Sequence, residues 1–221
     1  GILTGTDPAA HGFRPMKIGI SPEVVTLPEV LRNSGYSTHH IGKWHLGFAT
    51  ELAWPLAQGF DTFFGFLDQA LLAGPHPPSG LHFGRPTYHD PWLQKQNERP
   101  QKYKGHLSEI LLDNALEFLA SRSGKGTPWF LNYWTYAPHS PVQPSRKFAS
   151  RYDATPAGRY RAFLEQVDDT VGQLMLGLEK NGFADNTLVI VASDNGGTNK
   201  QIDNNHPFYG KKATFFEGGV R

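Results

Sequence analysis

Thr187-Leu188-Val189-Ile190-Val191-Ala192-Ser193-Asp194-Asn195-Gly196-Gly197 is the stretch that decides the fold class of this 221-residue chain. Six residues, mostly aliphatic and β-branched, run without polar alternation and stop at small and polar ones. An unbroken apolar run of this length is the pattern of a strand covered on both faces, as helices cover a parallel sheet. Working upstream, Phe163, Val167, Val171, Leu174, Met175 and Leu178 recur at helical spacing and end at Asn181-Gly182, which predicts an amphipathic helix with a glycine stop. A strand is expected before it at 128–134, running into Tyr136-Ala137-Pro138-His139-Ser140-Pro141, where two prolines bracket a histidine in a rigid turn. Apolar residues at 107, 110, 111, 115 and 118 predict another helix over 107–119. Near the start, Thr26-Leu27-Pro28-Glu29 opens a helix by the capping-box rule and Gly35 closes it, with a short strand at 36–41 and the loop Gly42-Lys43-Trp44-His45-Leu46-Gly47 behind it. Strands alternating with helices predict an α/β domain with a mostly parallel central sheet, whose ligands gather beyond the carboxyl ends of the strands. Residues 48–102 show no sustained periodicity and are expected as a long, ordered, substrate-side loop region.

Composition narrows the function. Twenty-one Lys and Arg against 20 Asp and Glu, a formal net charge of +1, leave no footprint for nucleic acid or an anionic membrane surface. No apolar run approaches the ~18 residues of a membrane span. The chain has no cysteine, so it contains no disulfide, no thiolate metal site and no cysteine nucleophile. With 24 Gly and 17 Pro, about 19% together against a usual ~12%, much ordered loop is expected. A start at Gly1 and a stop at Arg221 inside a glycine-rich phrase read as an internal piece of a longer protein.

Three of the expected strands end in unusual polar residues: Lys43 and His45 after the first, His139 after the second, Asp194 and Asn195 after the third. In extended backbone, residues i and i+2 face the same way, so Lys43 and His45 can share a pocket with Trp44 turned away. Asp194 and Asn195 supply a carboxylate and an amide oxygen, hard ligands suited to Ca²⁺ or Mg²⁺. Asp-Asn-Gly-Gly is equally good turn chemistry. Lys212 lies between glycines that would let the backbone approach a ligand. Two lysines, two histidines and a hard-metal pair without an internal nucleophile suit a compact multi-oxygen anion and proton movement around it. Sulfuryl and phosphoryl transfer both need such a set.

Leu3-Thr4-Gly5, Gly42-Lys43-Trp44-His45-Leu46-Gly47, Gly59-Phe60-Asp61 with Phe64-Gly65-Phe66, Pro138-His139-Ser140-Pro141, Ser193-Asp194-Asn195-Gly196-Gly197 and Glu217-Gly218-Gly219-Val220-Arg221 resemble, in order, the phrases of the type I sulfatases, the arylsulfatase family of the alkaline phosphatase superfamily. The resemblance implies an alkaline-phosphatase-like α/β sulfatase domain, incomplete at both ends and without its carboxyl-terminal subdomain. It implies a formylglycine nucleophile that would lie upstream of Gly1, and a periplasmic or secreted setting. By resemblance Asp194 and Asn195 match the later pair of Ca²⁺ ligands, with Mg²⁺ the alternative ion. Lys43 matches the lysine beside the metal and the formylglycine hydroxyls, and His45 the base that helps expel sulfate. His139 matches the proton donor to the leaving alcohol, and Lys212 a clamp on a sulfate oxygen. Glu217 and Arg221 match structural positions. The expected partner is a small-molecule or carbohydrate sulfate ester, with neither nucleic acid nor membrane. A phosphonate-monoester or phosphodiester hydrolase of the same superfamily is the nearest alternative, and a binding domain without catalysis the alternative of a different class.

Overall fold

The computed structural model describes residues 1–6, 19–74, 85–198 and 205–220. Its centre is a five-stranded sheet in the order β4-β3-β2-β1-β5. Strands β1 (Ser37–Lys43), β2 (Thr62–Phe66) and β5 (Trp129–Trp134) are parallel, while β3 (Trp92–Lys95) and β4 (Gln101–Lys102) add an antiparallel edge. This is the mostly parallel, helix-flanked architecture expected from the alternation of elements. The stretch 48–102 departs from its expected reading as loop, because it supplies β2, β3 and β4. Thr62-Phe63-Phe64-Gly65-Phe66 carries no polar alternation because both of its faces are covered.

Each face of the sheet has its own core. On one, Ile41, Phe64 and Phe66 pack with Leu107, Leu111, Ala115 and Leu119 of α2 (Leu107–Arg122) and Phe163 and Leu178 of α4 (Pro156–Lys180). On the other, Trp44, Phe60, Phe63, Leu67 and Leu71 close over Leu3. Helix α1 (Leu27–Asn33) begins where the capping box places it: the Glu29 carboxylate accepts from the Thr26 backbone N–H at 2.7 Å, and the Thr26 hydroxyl donates to the Gln58 carbonyl. Helix α4 starts about two turns ahead of its apolar stripe, with Thr155 accepting from Gly158 N–H. Of that stripe, Met175 is exposed. A four-residue helix, α3 (Arg146–Ala149), follows the proline-bracketed turn.

Gly42 and Gly65 fix the spacing of the three parallel strands. Gly42 has φ 110°, and a Cβ there would sit 2.0 Å from the Trp134 carbonyl oxygen; one on Gly65 would sit 1.9 Å from that of Gly42. Side chains are excluded at both places by backbone, which cannot yield as a rotamer can.

The run 187–192 is a correction. It forms no ladder among the described residues, and Leu188 and Ile190 are 84% and 78% exposed. Two-sided burial needs hydrogen-bonded neighbours and covering helices. Strand β5 pairs with β1 along one edge, and no described strand lies along its other edge.

Candidate active site

The carboxyl ends of β1 and β5 point the same way because the two strands are parallel, and they deliver the first half of the site. Lys43 closes β1, and the parallel pairing with β2 continues past it: Trp44 N–H donates to Phe66 O and His45 N–H to Leu67 O, both at 2.9 Å. His45 itself adopts φ 57°. Left-handed backbone is uncommon for a residue with a Cβ and breaks the simple i, i+2 alternation. The His45 imidazole faces Asp68, with Nε2 3.5 Å from Oδ2.

His139 follows β5. Its Nδ1 donates to the Ser140 carbonyl at 2.8 Å, which leaves Nε2 as the free nitrogen, and its ring stacks on Tyr136 with centroids 4.8 Å apart. The same Tyr136 ring lies 5.6 Å from the Lys43 ammonium, a cation–π distance. Tyr136 is buried; its hydroxyl donates to Ser140 O at 2.8 Å and lies 3.2 Å from Gln69 Oε1. Burial, reinforced by Asp68, holds the phenol well above its ordinary pKa, so it stays neutral. The ring stacks in turn on Tyr88, whose hydroxyl donates to the His139 carbonyl at 2.9 Å.

The second half comes from the far end of the chain. Asp194 and Asn195 occupy a bend after the exposed run, and the Asn195 amide nitrogen donates to Gly196 O. Asn205, 8% exposed, ties this bend to the lysine loop: its Oδ1 accepts from Gly197 N–H, and its Nδ2 faces the carbonyls of Gly197 and Gly210. Lys212 N–H donates to Gly197 O, and Gly196 N–H to Gly219 O. A Cβ on Gly219 would meet the carbonyls of Thr214 and Lys211 at 2.4 and 2.5 Å, which accounts for the paired glycines at the start of α5 (Glu217–Val220). Arg221 lies outside the described residues.

The electrostatics show the two halves meeting. Burial lowers the Lys43 pKa most; Asp194 opposes this, Lys212 adds to it, and Asp68 opposes it. The His45 pKa is lowered by burial first, then by Lys43, with Asp68 opposing and His139 and Lys212 adding to the fall. For His139, burial again leads; the Ser140 bond and Asp194 raise the pKa, while Lys43 and Lys212 lower it. The sequence-predicted Lys43 and His139 thus lie within the fields of Asp194 and Lys212, and His45 within those of Lys43, His139 and Lys212, with Asn195 beside Asp194. Sequence reasoning missed Asp68, Tyr136 as a platform, and Asn205. Only Tyr136 carried a signal, as the first residue of the proline-bracketed turn.

Two lysines and two histidines around one exposed carboxylate form a basin that suits a compact anion. Asp194 and Asn195 are hard oxygen donors, and neither Asp194 Oδ nor Asn195 Oδ1 is taken by a described residue in a hydrogen bond. They fit a hard divalent cation in kind. In number they fall short of the ~6–8 oxygens of Ca²⁺, and no group of three or more His, Cys, Asp or Glu among the described residues is placed to hold a metal. No helix among them is long and apolar enough to cross a membrane.

Comparison with known proteins gives the family of the chain. N-acetylgalactosamine-6-sulfatase of Rattus norvegicus is 32% identical over 243 residues, covering 100% of this chain and 43% of that protein. Arylsulfatase J of Mus musculus is 32% identical over 219 residues, covering 95% of this chain and 35% of the relative. The crystal structure of Ps i-CgsB in complex with k-i-k-neocarrahexaose superposes with a TM-score of 0.83 at 29% identity, covering 100% of this chain and 52% of that one. The chain therefore spans less than half the length of these curated relatives. The family model described as Sulfatase matches residues 1–221, and the chain belongs to the sulfatase family.

Proposed function

We propose that these residues form the central part of the catalytic domain of a sulfate-ester hydrolase acting on a sulfated carbohydrate. The observation that carries the reading is the meeting of Lys43, His45, His139 and Lys212 in one electrostatic basin with Asp194. Sulfated sugars are the substrate class because relatives named for N-acetylgalactosamine-6-sulfate and a neighbour crystallised with a carrageenan oligosaccharide match the whole chain. A formylglycine and a divalent cation, Ca²⁺ in this reading, would together supply the hydroxyl that attacks sulfur; the cysteine-free chain does not furnish that residue from a cysteine.

The chain's own residues do the rest. Asp194 and Asn195 are the residues that would hold the cation, through their side-chain oxygens. Lys43 and Lys212 bind the sulfate oxygens and take up the charge that develops on them. His139 is the general acid, and with Nδ1 committed to Ser140 O its proton leaves from Nε2. Burial and the two lysines favour its neutral form in the free site. A bound sulfate ester brings negative charge beside the ring and favours the imidazolium again. His45 accepts a proton as sulfate departs.

The test uses the enzyme in which this chain is joined to its formylglycine-bearing segment, assayed with matched sulfate, phosphodiester and phosphonate esters. Sulfate should give the highest kcat/KM, and His139→Ala should cost about 10²–10⁴-fold on sugar sulfates but little on activated aryl sulfates. A preference for either phosphorus ester moves the assignment to the alternative hydrolase. Equal losses on both sulfate classes remove His139 from acid catalysis. The 221 residues alone should show no turnover.

A further inference from the structure

Asp68 stands two residues past the end of β2 and is 5% exposed. A carboxylate so far from water persists only where neighbours replace its hydration. One oxygen, Oδ1, accepts from Ala70 N–H at 2.8 Å and opens the short 3-10 turn Gln69–Ala73. The other, Oδ2, faces His45 Nε2 at 3.5 Å. The juxtaposition is built by the sheet, because the ladder that continues through His45 N–H and Leu67 O sets residue 45 opposite residue 68. The left-handed backbone at His45 belongs to the same construction, and such conformations persist where surrounding structure over-determines them.

We propose that Asp68 is a positioning residue for His45: its carboxylate faces the Nε2–H, holds the imidazole in the Nε2-protonated tautomer, and leaves Nδ1 as the nitrogen that receives a proton. The roles of His45 as base and Asp68 as its orienting partner rest on the sulfatase reading above; the tautomer does not. The charges acting on the ring from the packed elements are Lys43, His139 and Lys212, which all drive protons off it, and Asp68, which opposes them. The neutral Tyr136 phenol shares the field of Asp68. With Asp68 uncharged, nothing in that set would favour the Nε2–H form or the imidazolium that forms as sulfate leaves.

Two measurements decide it. In the 221-residue chain, long-range ¹H–¹⁵N correlation of the imidazoles should show neutral His45 as the Nε2–H tautomer. In Asp68→Asn, which keeps an acceptor oxygen for Ala70 N–H, the tautomers should mix and the proton affinity of His45 should fall about tenfold. In the formylglycine-bearing enzyme the same substitution should lower kcat about tenfold on a sugar sulfate and leave KM within about twofold, the signature of a group that acts on the chemical step. A wild-type His45 in the Nδ1–H tautomer overturns the proposal without any variant. So does an Asp68→Asn protein with unchanged His45 titration and kcat, which would make Asp68 a turn cap alone. Should the wild-type enzyme fail to hydrolyse sulfate esters, the functional reading falls while the tautomer still decides what Asp68 does.

Discussion

In β1, His39 and His40 are 5% and 0% exposed, whereas Leu188 and Ile190 stand 84% and 78% exposed. The imidazoles are buried because β1 lies between β2 and β5, with a core on each face, and because each ring nitrogen has a partner. His40 Nδ1 accepts from the Asn132 amide at 2.9 Å and Nε2 donates to Lys43 O at 3.2 Å, inside a cage of Trp44, Phe60, Phe63 and Trp134. His39 bonds Ser37 and Thr62 through its two nitrogens and packs on Phe118. The aliphatic run has stronger intrinsic reason to be buried and lacks the neighbours. Burial here follows from what lies alongside a segment, and hydropathy only makes it affordable.

That contrast can be broken most severely at its centre. Gly42→Val would drive a Cβ into the Trp134 carbonyl at a backbone angle that valine avoids, and the strands cannot separate without losing both ladders. The expected loss exceeds about 4 kcal/mol, read as disappearance of the cooperative urea transition. A folded Gly42→Val chain with a near-normal midpoint would show that β1 and β5 are not packed this closely.

A graded effect comes from acid. Burial, opposed only by the Lys43 bond, lowers the His40 pKa from 6.5 to about 3. Between those values the unfolded chain binds a proton that the folded chain does not. Stability from His40 is therefore full above pH 6.5 and falls as pH drops toward 3, by up to about 1.4 kcal/mol per pH unit. His39, lowered to about 4 by burial and Arg122 against the pull of Asp61, acts in the same direction. Urea midpoints measured at pH 7, 6 and 5 should fall progressively. A flat profile over that range would mean that the imidazoles reach water.

The smallest change is expected where the apolar residues are exposed. Leu188→Ser and Ile190→Ser should each shift the stability of the 221-residue chain by no more than about 0.5 kcal/mol. A cost of about 2 kcal/mol or more in either would place the run in a core.

Much of the architecture was readable from local signals: α1 from its capping box, α2 and α4 from their apolar stripes, β1 as a short run between Gly35 and the Gly42–Gly47 loop, and β5 as an apolar, aromatic run ahead of the proline-bracketed turn. Strand β2 was hidden because Thr62–Phe66 sits among glycines and aromatics and has the monotony of two-sided burial. Strands β3 and β4, with four and two residues, are too short to carry a pattern. The run 187–192 failed in the opposite direction, since sequence reports the preference for burial but not the partner. Lys43, His45 and His139 were placeable because strand ends are where α/β sheets present ligands. Asp68 was invisible because its relation to His45 exists only through the β1–β2 register. Asn205 carries no local signal either, as its three contacts reach eight residues back and five forward.

The register of β1 also carries a history. Its partner residues lie 23 positions away in β2, at His39 and Thr62, and 92 positions away in β5, at His40 and Asn132. Loop-closure entropy grows by about 0.6 kcal/mol for each doubling of the loop, so the fourfold longer closure costs about 1.2 kcal/mol more before any contact rewards it. On a folding chain the β1–β2 pair is accordingly expected as the earlier event, bringing His45 to Asp68 before β5 docks with His139. The expected order has two stages, with His45 meeting Asp68 first and His139 arriving last.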